Sequence, residues 1–410
     1  MIIEQIEITD LSHDGRGIGR VDGKTIFIEG AIPGDIVSAR IMQSQKTYDE
    51  AALVEVKTSS EHRVEPFCPV YNECGGCQLQ HVDIAAQREW KAKRFLNALI
   101  KAVDAKKCKI ADPLIGENKG YRRRARFVYG KHKTDKVAKF GFRAKASSEM
   151  VDIESCPLLT DEMNAALHVK REQCLPVASR SLKEVTLVES TLPKTQPVML
   201  WSDDETSTKA HYTLDDLVFD FPKDGFIQVN AEINQKMVAQ ALEWLQLESN
   251  HSVLDLFCGV GNFTLPIAQT VSKVVGVEGD PSLVDFAQRN AKKNSLPNAD
   301  FYKADLFDSA NDFHWFHHQT YDRVLLDPGR QGAMSICQQM GKLNAQIIVY
   351  VSCNESTLIR DVQLLEKQGY QIRKAGFMDM FPHTSHAEVM VQLVKTKKTA
   401  KKKSPGVFRF

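Results

Sequence analysis

The stretch Val253-Leu-Asp-Leu-Phe-Cys-Gly-Val-Gly-Asn-Phe-Thr-Leu-Pro266 decides how the rest of the chain is read. Its apolar run, Val253 to Phe257, has the length of a buried strand. Gly259 and Gly261 break that run, and an apolar helical pattern follows. The order is strand, tight turn, helix. The glycines permit a sharp turn and let the backbone approach a ligand more closely than a side chain would allow. Sixteen residues past Asn262 a second apolar run, Lys273-Val-Val-Gly-Val-Glu278, ends on an acid. A carboxylate at the tip of a second strand is well placed for the two hydroxyls of a ribose. Together these features predict a nucleoside site on an open α/β sheet.

The alternation extends in both directions. Upstream, Phe226-Ile-Gln-Val-Asn230 precedes an amphipathic helix, 231–247, that leads into the glycine turn. Downstream, Asp305 ends a predicted third strand (300–305), Asp327 a fourth (321–327) and Cys353 a fifth (347–353), with a helix from about Glu355. Ligands of open α/β sheets gather at the carboxyl ends of strands, so Phe257, Glu278, Asp305, Asp327 and Cys353 should converge on one crevice. A single acid at such a junction reads as a helix cap; acids at successive strand ends read as a site. Cys353 stands just before a helix, whose N-terminal dipole is expected to depress the thiol pKa and favour the thiolate. Near the end, Met380-Phe-Pro-His-Thr-Ser-His-Ala-Glu-Val-Met-Val391 sets Glu388 beside His383 and His386 before a last apolar strand. Glu388 is the expected proton acceptor, with the two histidines as alternatives.

The first 58 residues read differently. Ile2 to Ile8 and Thr25 to Ile28 are strand-like, with turns at Asp14-Gly15, Asp22-Gly23 and Pro33-Gly34. Short strands at close spacing predict a small β-barrel. Then comes Cys68-Pro-Val-Tyr-Asn-Glu-Cys74-Gly-Gly-Cys77. A Gly-Gly turn lets the sulfurs of Cys74 and Cys77 face one metal site, Cys68 lies close upstream, and Cys156, also followed by proline, is the candidate fourth ligand. Four thiolates suit a structural zinc or an iron–sulfur cluster, and spacing alone leaves both open. Cys108, Cys174, Cys258 and Cys337 have no such company and read as packing residues. Residues 78–103 form a predicted connecting helix. Residues 121–129 and 137–143 read as a strand pair in which alternation sets Arg122, Arg124 and Arg126 on one face. With Tyr121, Phe127, Tyr129, Phe140 and Phe142 nearby, the pair is expected to offer phosphates and unstacked bases a surface. Residues 160–220 complete a middle domain and show no chemistry.

A chain of 410 residues needs two or three domains. No run reaches the roughly 18 apolar residues of a membrane span, and the N-terminal sequence lacks the pattern of a signal peptide. Nine cysteines without an export signal suggest a reducing cytoplasm and ligation or catalysis rather than disulfides. The net charge of +1 conceals an asymmetry: residues 119–145 carry eleven Lys or Arg and one acid, residues 391–410 carry seven and none, which leaves −16 on the remainder. Two concentrated basic segments on a near-neutral chain point to a polyanionic partner.

Several motifs carry a resemblance. Asp-Leu-Phe-Cys-Gly-Val-Gly-Asn-Phe, with Thr264 in place of the third glycine of a dinucleotide fingerprint, resembles motif I of the S-adenosylmethionine-dependent methyltransferases. Gly15-Arg-Gly-Ile-Gly-Arg20 and Ile32-Pro-Gly-Asp-Ile-Val37 resemble the TRAM domain, an OB-like RNA-binding barrel. With the four cysteines, Ser-Cys353-Asn and His-Ala-Glu388, nearly the whole chain is similar to the bacterial RNA uracil-C5 methyltransferases, most of all those of 23S rRNA. The resemblance implies a TRAM barrel at 1–59, a central iron–sulfur and RNA-binding α+β domain at 60–222, a Rossmann-like class I methyltransferase domain at 223–394, and a basic tail at 395–410. It implies S-adenosylmethionine contacts from Gln228, Phe257, Asn262, Glu278, Asp305 and Asp327, and a [4Fe-4S] cluster on Cys68, Cys74, Cys77 and Cys156. Cys353 becomes the nucleophile that adds to uracil C6, and Glu388 the base that takes the C5 proton. The implied substrate is 23S rRNA, with tRNA or another rRNA position as the alternative; a monomer with no obligate protein partner and no membrane association is expected. Relatives often have Asp-Pro-Pro-Arg where this chain has Asp327-Pro-Gly-Arg330. Two other classes fit less well: a radical iron–sulfur enzyme needs a different cysteine spacing, and a plain RNA-binding module gives Cys353 and Glu388 no task.

Overall fold

The structure, a computed structural model, describes residues 1–131, 136–205, 207–308, 314–317 and 320–396. The lysine-rich tail beyond Thr396 and most of the turn predicted after Gly130 lie outside the described residues. Strands β1 (Ile2–Leu11), β2 (Gly17–Val21), β3 (Lys24–Glu29), β4 (Ile36–Ser44) and β5 (Tyr48–Thr58) close into a barrel in the order β1-β2-β3-β5-β4. Alternation sends Ile6, Ile8, Ile26, Ile28, Val37 and Ala39 inward. Gly19 makes room for that core, since a Cβ there would lie 2.5 Å from Ile6 Cγ2.

Helix α1 (Ile84–Ala102) leaves the barrel, capped by Asp83, whose carboxylate accepts from the N–H groups of Ala85 and Ala86. After β6 (Lys109–Ile110), strands β7 (Arg124–Lys131), β8 (Ala138–Arg143) and β9 (Met150–Asp152), helix α2 (Asp161–Cys174), and strands β10 (Lys183–Ser190) and β11 (Val198–Trp201) make the middle layer. Its sheet runs β11-β10-β7-β8-β9. Of the aromatics expected to stack bases, Tyr121, Phe127, Tyr129 and Phe140 are instead buried, while Phe142 is half-buried and lines the cavity described below. The alternation that turns Arg124 and Arg126 outward turns Phe127 and Tyr129 into the core against Phe140 and Leu187. Strands β12 (Lys209–Leu214) and β13 (Leu217–Pro222) form a hairpin that packs on the C-terminal layer.

That layer comprises α3 (Ala231–Leu245), β14 (Ser252–Leu256), α4 (Thr264–Ala268), β15 (Lys273–Glu278), α5 (Pro281–Lys293), β16 (Ala299–Lys303), α6 (His314–His317), β17 (Arg323–Leu326), α7 (Met334–Cys337), β18 (Ile347–Ser352), α8 (Glu355–Lys367), β19 (Tyr370–Met378) and β20 (Glu388–Lys395). The sheet order is β16-β15-β14-β17-β18-β20-β19-β6. Strands β14 to β18 pair in parallel, and β20 returns antiparallel beside β18. Both faces are covered, which is why these strands read as unbroken apolar runs. Val253, Val274, Leu325 and Val349 face one helical layer, whereas Leu254, Val275, Leu326 and Ile348 face the other. The open α/β sheet and the barrel expected from the sequence are both present. The strand order reverses between β14 and β17, so a crevice opens at their carboxyl ends. Among the described residues no helix is long and apolar enough to cross a membrane.

Candidate active site and cysteine cluster

The crevice begins where β14 ends. Phe257 adopts φ +64°, a left-handed conformation unusual for a bulky side chain, and Gly259 and Gly261 follow at +55° and +96°. This tight sequence of turns places the Phe257 ring beside Phe307, with centroids 5.6 Å apart. Glu278, at the end of β15, is locked in place: its carboxylate accepts from the N–H groups of Gly259 (3.1 Å), Gly279 (2.7 Å) and Asp280 (3.0 Å). Asn262 and Asn234 exchange amide hydrogen bonds of 2.9 and 3.1 Å, and Tyr212 donates its hydroxyl to Asn262 at 3.0 Å. The glycine turn is therefore tied to α3 and to the β12–β13 hairpin.

A cavity of about 910 Å³ opens there. Of the twelve residues singled out in the sequence, all but Asp305 line it: Gln228, Phe257, Asn262, Glu278, Asp327, Cys353, Glu388 and the four cysteines 68, 74, 77 and 156. Asp305 is exposed, and its carboxylate accepts from the Phe307 N–H at 2.9 Å. Arg122 and Arg126 also reach the cavity, whereas Arg124 turns away to donate to the Asp224 carbonyl at 3.0 Å.

Cys353 follows β18 directly, and Glu388 opens β20. The antiparallel register pairs Ser352 with Val389, so continuing it by one residue sets Cys353 opposite Glu388. Burial holds the Glu388 carboxyl well above the usual carboxylate range, and Asp327 adds to the effect. Asp327 itself is pushed up to about 7 by burial. The Cys353 thiol does not behave as the sequence suggested. Burial, then the Glu388 and Asp327 carboxyls, push it up to about 11, and Arg330 opposes them. Asn354 caps α8 by accepting from the Ser356 and Thr357 N–H groups at 3.0 and 3.4 Å, and burial together with the two carboxyls outweighs the pull of the helix N-terminus. His386 lines the cavity, with Nε2 3.4 Å from Arg330 Nη2. His383 does not line it; its ring packs edge-on against Phe67, outside the place a base would need.

Cys68, Cys74, Cys77 and Cys156 sit at the far end of the same cavity, all half-buried and none in a disulfide. The Gly-Gly turn is closely fitted: Gly75 donates to the Arg143 carbonyl at 2.9 Å, and a Cβ there would lie 3.1 Å from that oxygen. The Cys77 thiol is pushed up to about 12, by burial first and then by Cys156, Cys74 and Cys68. Burial also raises the Cys74 and Cys156 thiols, with neighbouring cysteines adding to the effect, as expected of a donor set suited to a cationic centre. Among the described residues no three His, Cys, Asp or Glu are gathered closely enough to hold a single metal ion. Four thiols lining one cavity are donors of the kind that both a zinc site and an iron–sulfur cluster use.

Comparison with known proteins follows the same division. The tRNA (Uracil-5-)-methyltransferase family model matches residues 196–396, and the TRAM domain matches residues 3–54. The 23S rRNA (uracil(1939)-C(5))-methyltransferase RlmD of Aeromonas salmonicida is 41% identical, over 94% of this chain and 96% of its own length. The enzyme of the same name from Aeromonas hydrophila is 40% identical over the same shares. The chain belongs to the RNA uracil-C5 methyltransferase family. Its fold is also that of a solved family structure, the Pyrococcus abyssi tRNA (uracil-54, C5)-methyltransferase in complex with S-adenosyl-L-homocysteine. That chain is 23% identical, with a TM-score of 0.74, and the match covers 95% of this chain and all of that one.

The sequence reading missed two features of this methyltransferase site. Asp255, inside β14, is fully buried and hydrogen-bonded to the Thr264 hydroxyl at the start of α4. Burial, with Asp327 and Glu278 nearby, pushes it up to about 8. An acid in the middle of an apolar strand was the available signal. Phe226, 67% exposed, lines the cavity from the segment before α3; nothing in its local sequence separates it from a core aromatic.

Proposed function

We propose that this methyltransferase transfers a methyl group from S-adenosylmethionine to C5 of a uridine in 23S rRNA. The observation that carries the substrate assignment is the near full-length match to relatives that bear that name. The chemistry rests on Cys353 and Glu388, brought to one cavity by adjacent strands. Uracil C5 is too weak a nucleophile to take a methyl group unaided. The Cys353 thiolate adds to C6 and converts the ring to an enolate with its nucleophilic carbon at C5. S-adenosylmethionine, when bound, supplies the electrophilic methyl group. Glu388 then removes the C5 proton, and elimination re-forms the C5–C6 double bond and expels the Cys353 thiolate.

Gln228, Phe257, Asn262, Glu278 and Asp327 would hold the methyl donor, with Glu278 oriented toward a ribose by its three N–H partners. Asp305, outside the cavity, is retained on the resemblance alone. Cys68, Cys74, Cys77 and Cys156 would hold a [4Fe-4S] cluster with a structural or RNA-positioning role. The barrel (1–59), the central domain (60–222) and the catalytic domain (223–394) form the working units, and the tail (395–410) is a basic RNA tether. The protein acts as a cytoplasmic monomer.

The test uses rRNA fragments and tRNA, each carrying 5-fluorouridine, incubated with the protein and S-adenosylmethionine. Fluorine at C5 cannot leave as a proton, so the reaction stalls as a covalent adduct. Mass spectrometry should find methylated nucleotide on Cys353 with an rRNA fragment. An adduct with tRNA alone would move the substrate to tRNA, as the family model's description suggests. No adduct with any RNA would overturn the covalent mechanism.

A further inference from the structure

The segment between β19 and β20, residues 379–387, is a loop with a buried interior. Asp379, Met380, His383, Thr384 and Ser385 are all at most 7% exposed. Loops normally run over the surface because their backbone polar groups need partners. Leu114 accepts from the Asp379 N–H and Tyr121 donates to the Pro382 carbonyl, but the largest set of partners comes from residues 78–91, which begin immediately after Cys77. Gln78 and Leu79 both donate their backbone N–H to the His383 carbonyl at 3.0 Å. The Lys91 ammonium, 2% exposed, binds Asp379 at 2.8 Å and the Phe381 carbonyl at 3.1 Å.

Gln87 is the hub of this arrangement. It is fully buried on α1, and its Oε1 accepts from the His383 N–H at 3.0 Å. Its amide nitrogen donates to the Leu79 and Val82 carbonyls, both at 2.8 Å, and lies 3.1 Å from His383 Nδ1. His383 needs such a hold because its backbone stands at φ +65°. Gln78 adds a second strap: its amide nitrogen donates to the Gly75 carbonyl inside the cysteine turn at 3.0 Å, and its oxygen accepts from the Ser385 N–H at 3.4 Å. Five residues after His383 the loop ends at Glu388.

We propose that Gln87 is a positioning residue for Glu388, acting through His383, and that Gln78 ties the Cys74–Cys77 turn to the same loop. The proposal rests on the reading of Glu388 as the C5 base. Cys353 is carried by β18 and α8 rather than by this loop, so loosening the loop should slow proton removal and leave thiolate addition alone. His383 thereby receives a role without touching the reacting atoms.

The experiment uses the full-length holoprotein with Gln87→Met, which keeps length but cannot accept from His383, and Gln87→Glu, which keeps the acceptor. Two rates are followed: adduct formation on 5-fluorouridine RNA, which needs no C5 proton removal, and release of methylated RNA from ordinary substrate. For Gln87→Met the adduct rate should stay within about twofold, while release falls about tenfold and methylated adduct accumulates, the loss expected for a buried hydrogen bond. Gln87→Glu keeps the acceptor but sets an oxygen against the Leu79 and Val82 carbonyls, so it should restore release only in part. Equal falls in both rates, or no change in either, would overturn the proposal. Gln78→Ala, at a half-buried position that tolerates truncation, keeps the test open if Gln87→Met does not fold. It should show the same split in smaller measure, and unchanged release would count against the proposal. A wild-type protein that forms no 5-fluorouridine adduct would instead remove the reading of the reaction itself.

Discussion

Asp255→Asn offers a test of the electrostatics under the glycine turn. Asp255 has no route to water, and its folded-state pKa rises from 3.8 to about 8. In the unfolded chain the same carboxyl ionises near its ordinary value. Between those two values the folded state holds a proton that the unfolded state has lost, so stability is present below about pH 4 and is lost as pH rises toward 8. Each pH unit in that window is worth about 1.4 kcal/mol. Between pH 6 and pH 8 wild-type protein should therefore lose about 2–3 kcal/mol that the asparagine variant retains. Asparagine mimics the protonated acid and cannot ionise. Urea unfolding of both proteins at each pH reads the difference, and titrating groups that do not interact with Asp255 cancel between them. Parallel losses in the two proteins would refute the buried neutral acid.

Other predictions follow from the site. Cys353→Ala should abolish the covalent adduct and methylation while RNA affinity, read by gel shift, stays within about twofold, because a single half-buried thiol contributes little to binding phosphates. Methylation by this variant would remove Cys353 from the mechanism. Glu388→Gln should lower turnover by about 10²–10⁴-fold and accumulate methylated adduct on ordinary RNA; a matching loss of 5-fluorouridine adduct would show a different role. Cys77→Ala should lose the iron and visible absorbance of the proposed cluster, and full iron content in that variant would exclude Cys77 as a ligand.

Much of this architecture was legible because apolar periodicity and turn chemistry report local structure directly. The Val253–Phe257 run, the glycines and the strand-end acids placed the sheet and one face of its crevice. The barrel showed in its turns. What failed depended on which face of a strand meets the core. Phe127 and Tyr129 alternate with arginines, so the same pattern that exposes the cations buries the rings. Asp305 illustrates a second limit: a strand-end acid can hydrogen-bond the following turn, as its carboxylate does with the Phe307 N–H, and local sequence does not separate that task from a ligand contact. The loop before Glu388 illustrates a third. His383 and Gln87 are 296 residues apart, and no local pattern predicts that contact. The thiol of Cys353 was misjudged because a helix dipole is a local feature, whereas burial and the neighbouring acids come from the folded chain.

That last discrepancy has a chemical consequence. Around Cys353 the structure places Asp327 and Glu388, and each negative charge makes the next more costly. A thiol pushed up to about 11 is almost wholly protonated near neutral pH. Arg330 alone does not offset this. The site instead suits a cation arriving from outside, and the proposed methyl donor carries one on its sulfonium. At pH 8 Asp327 is already largely ionised. An added positive charge nearby should then lower the Cys353 pKa by about one to three pH units. S-adenosylhomocysteine has nearly the same shape but a neutral sulfur, so it isolates the charge from the occupancy. Alkylation of Cys353 by iodoacetamide at pH 8, quantified by peptide mass spectrometry, should be at least about tenfold faster with S-adenosylmethionine than with S-adenosylhomocysteine. Equal rates would mean that the donor's charge does not activate the thiol, and that the RNA itself must complete the nucleophile.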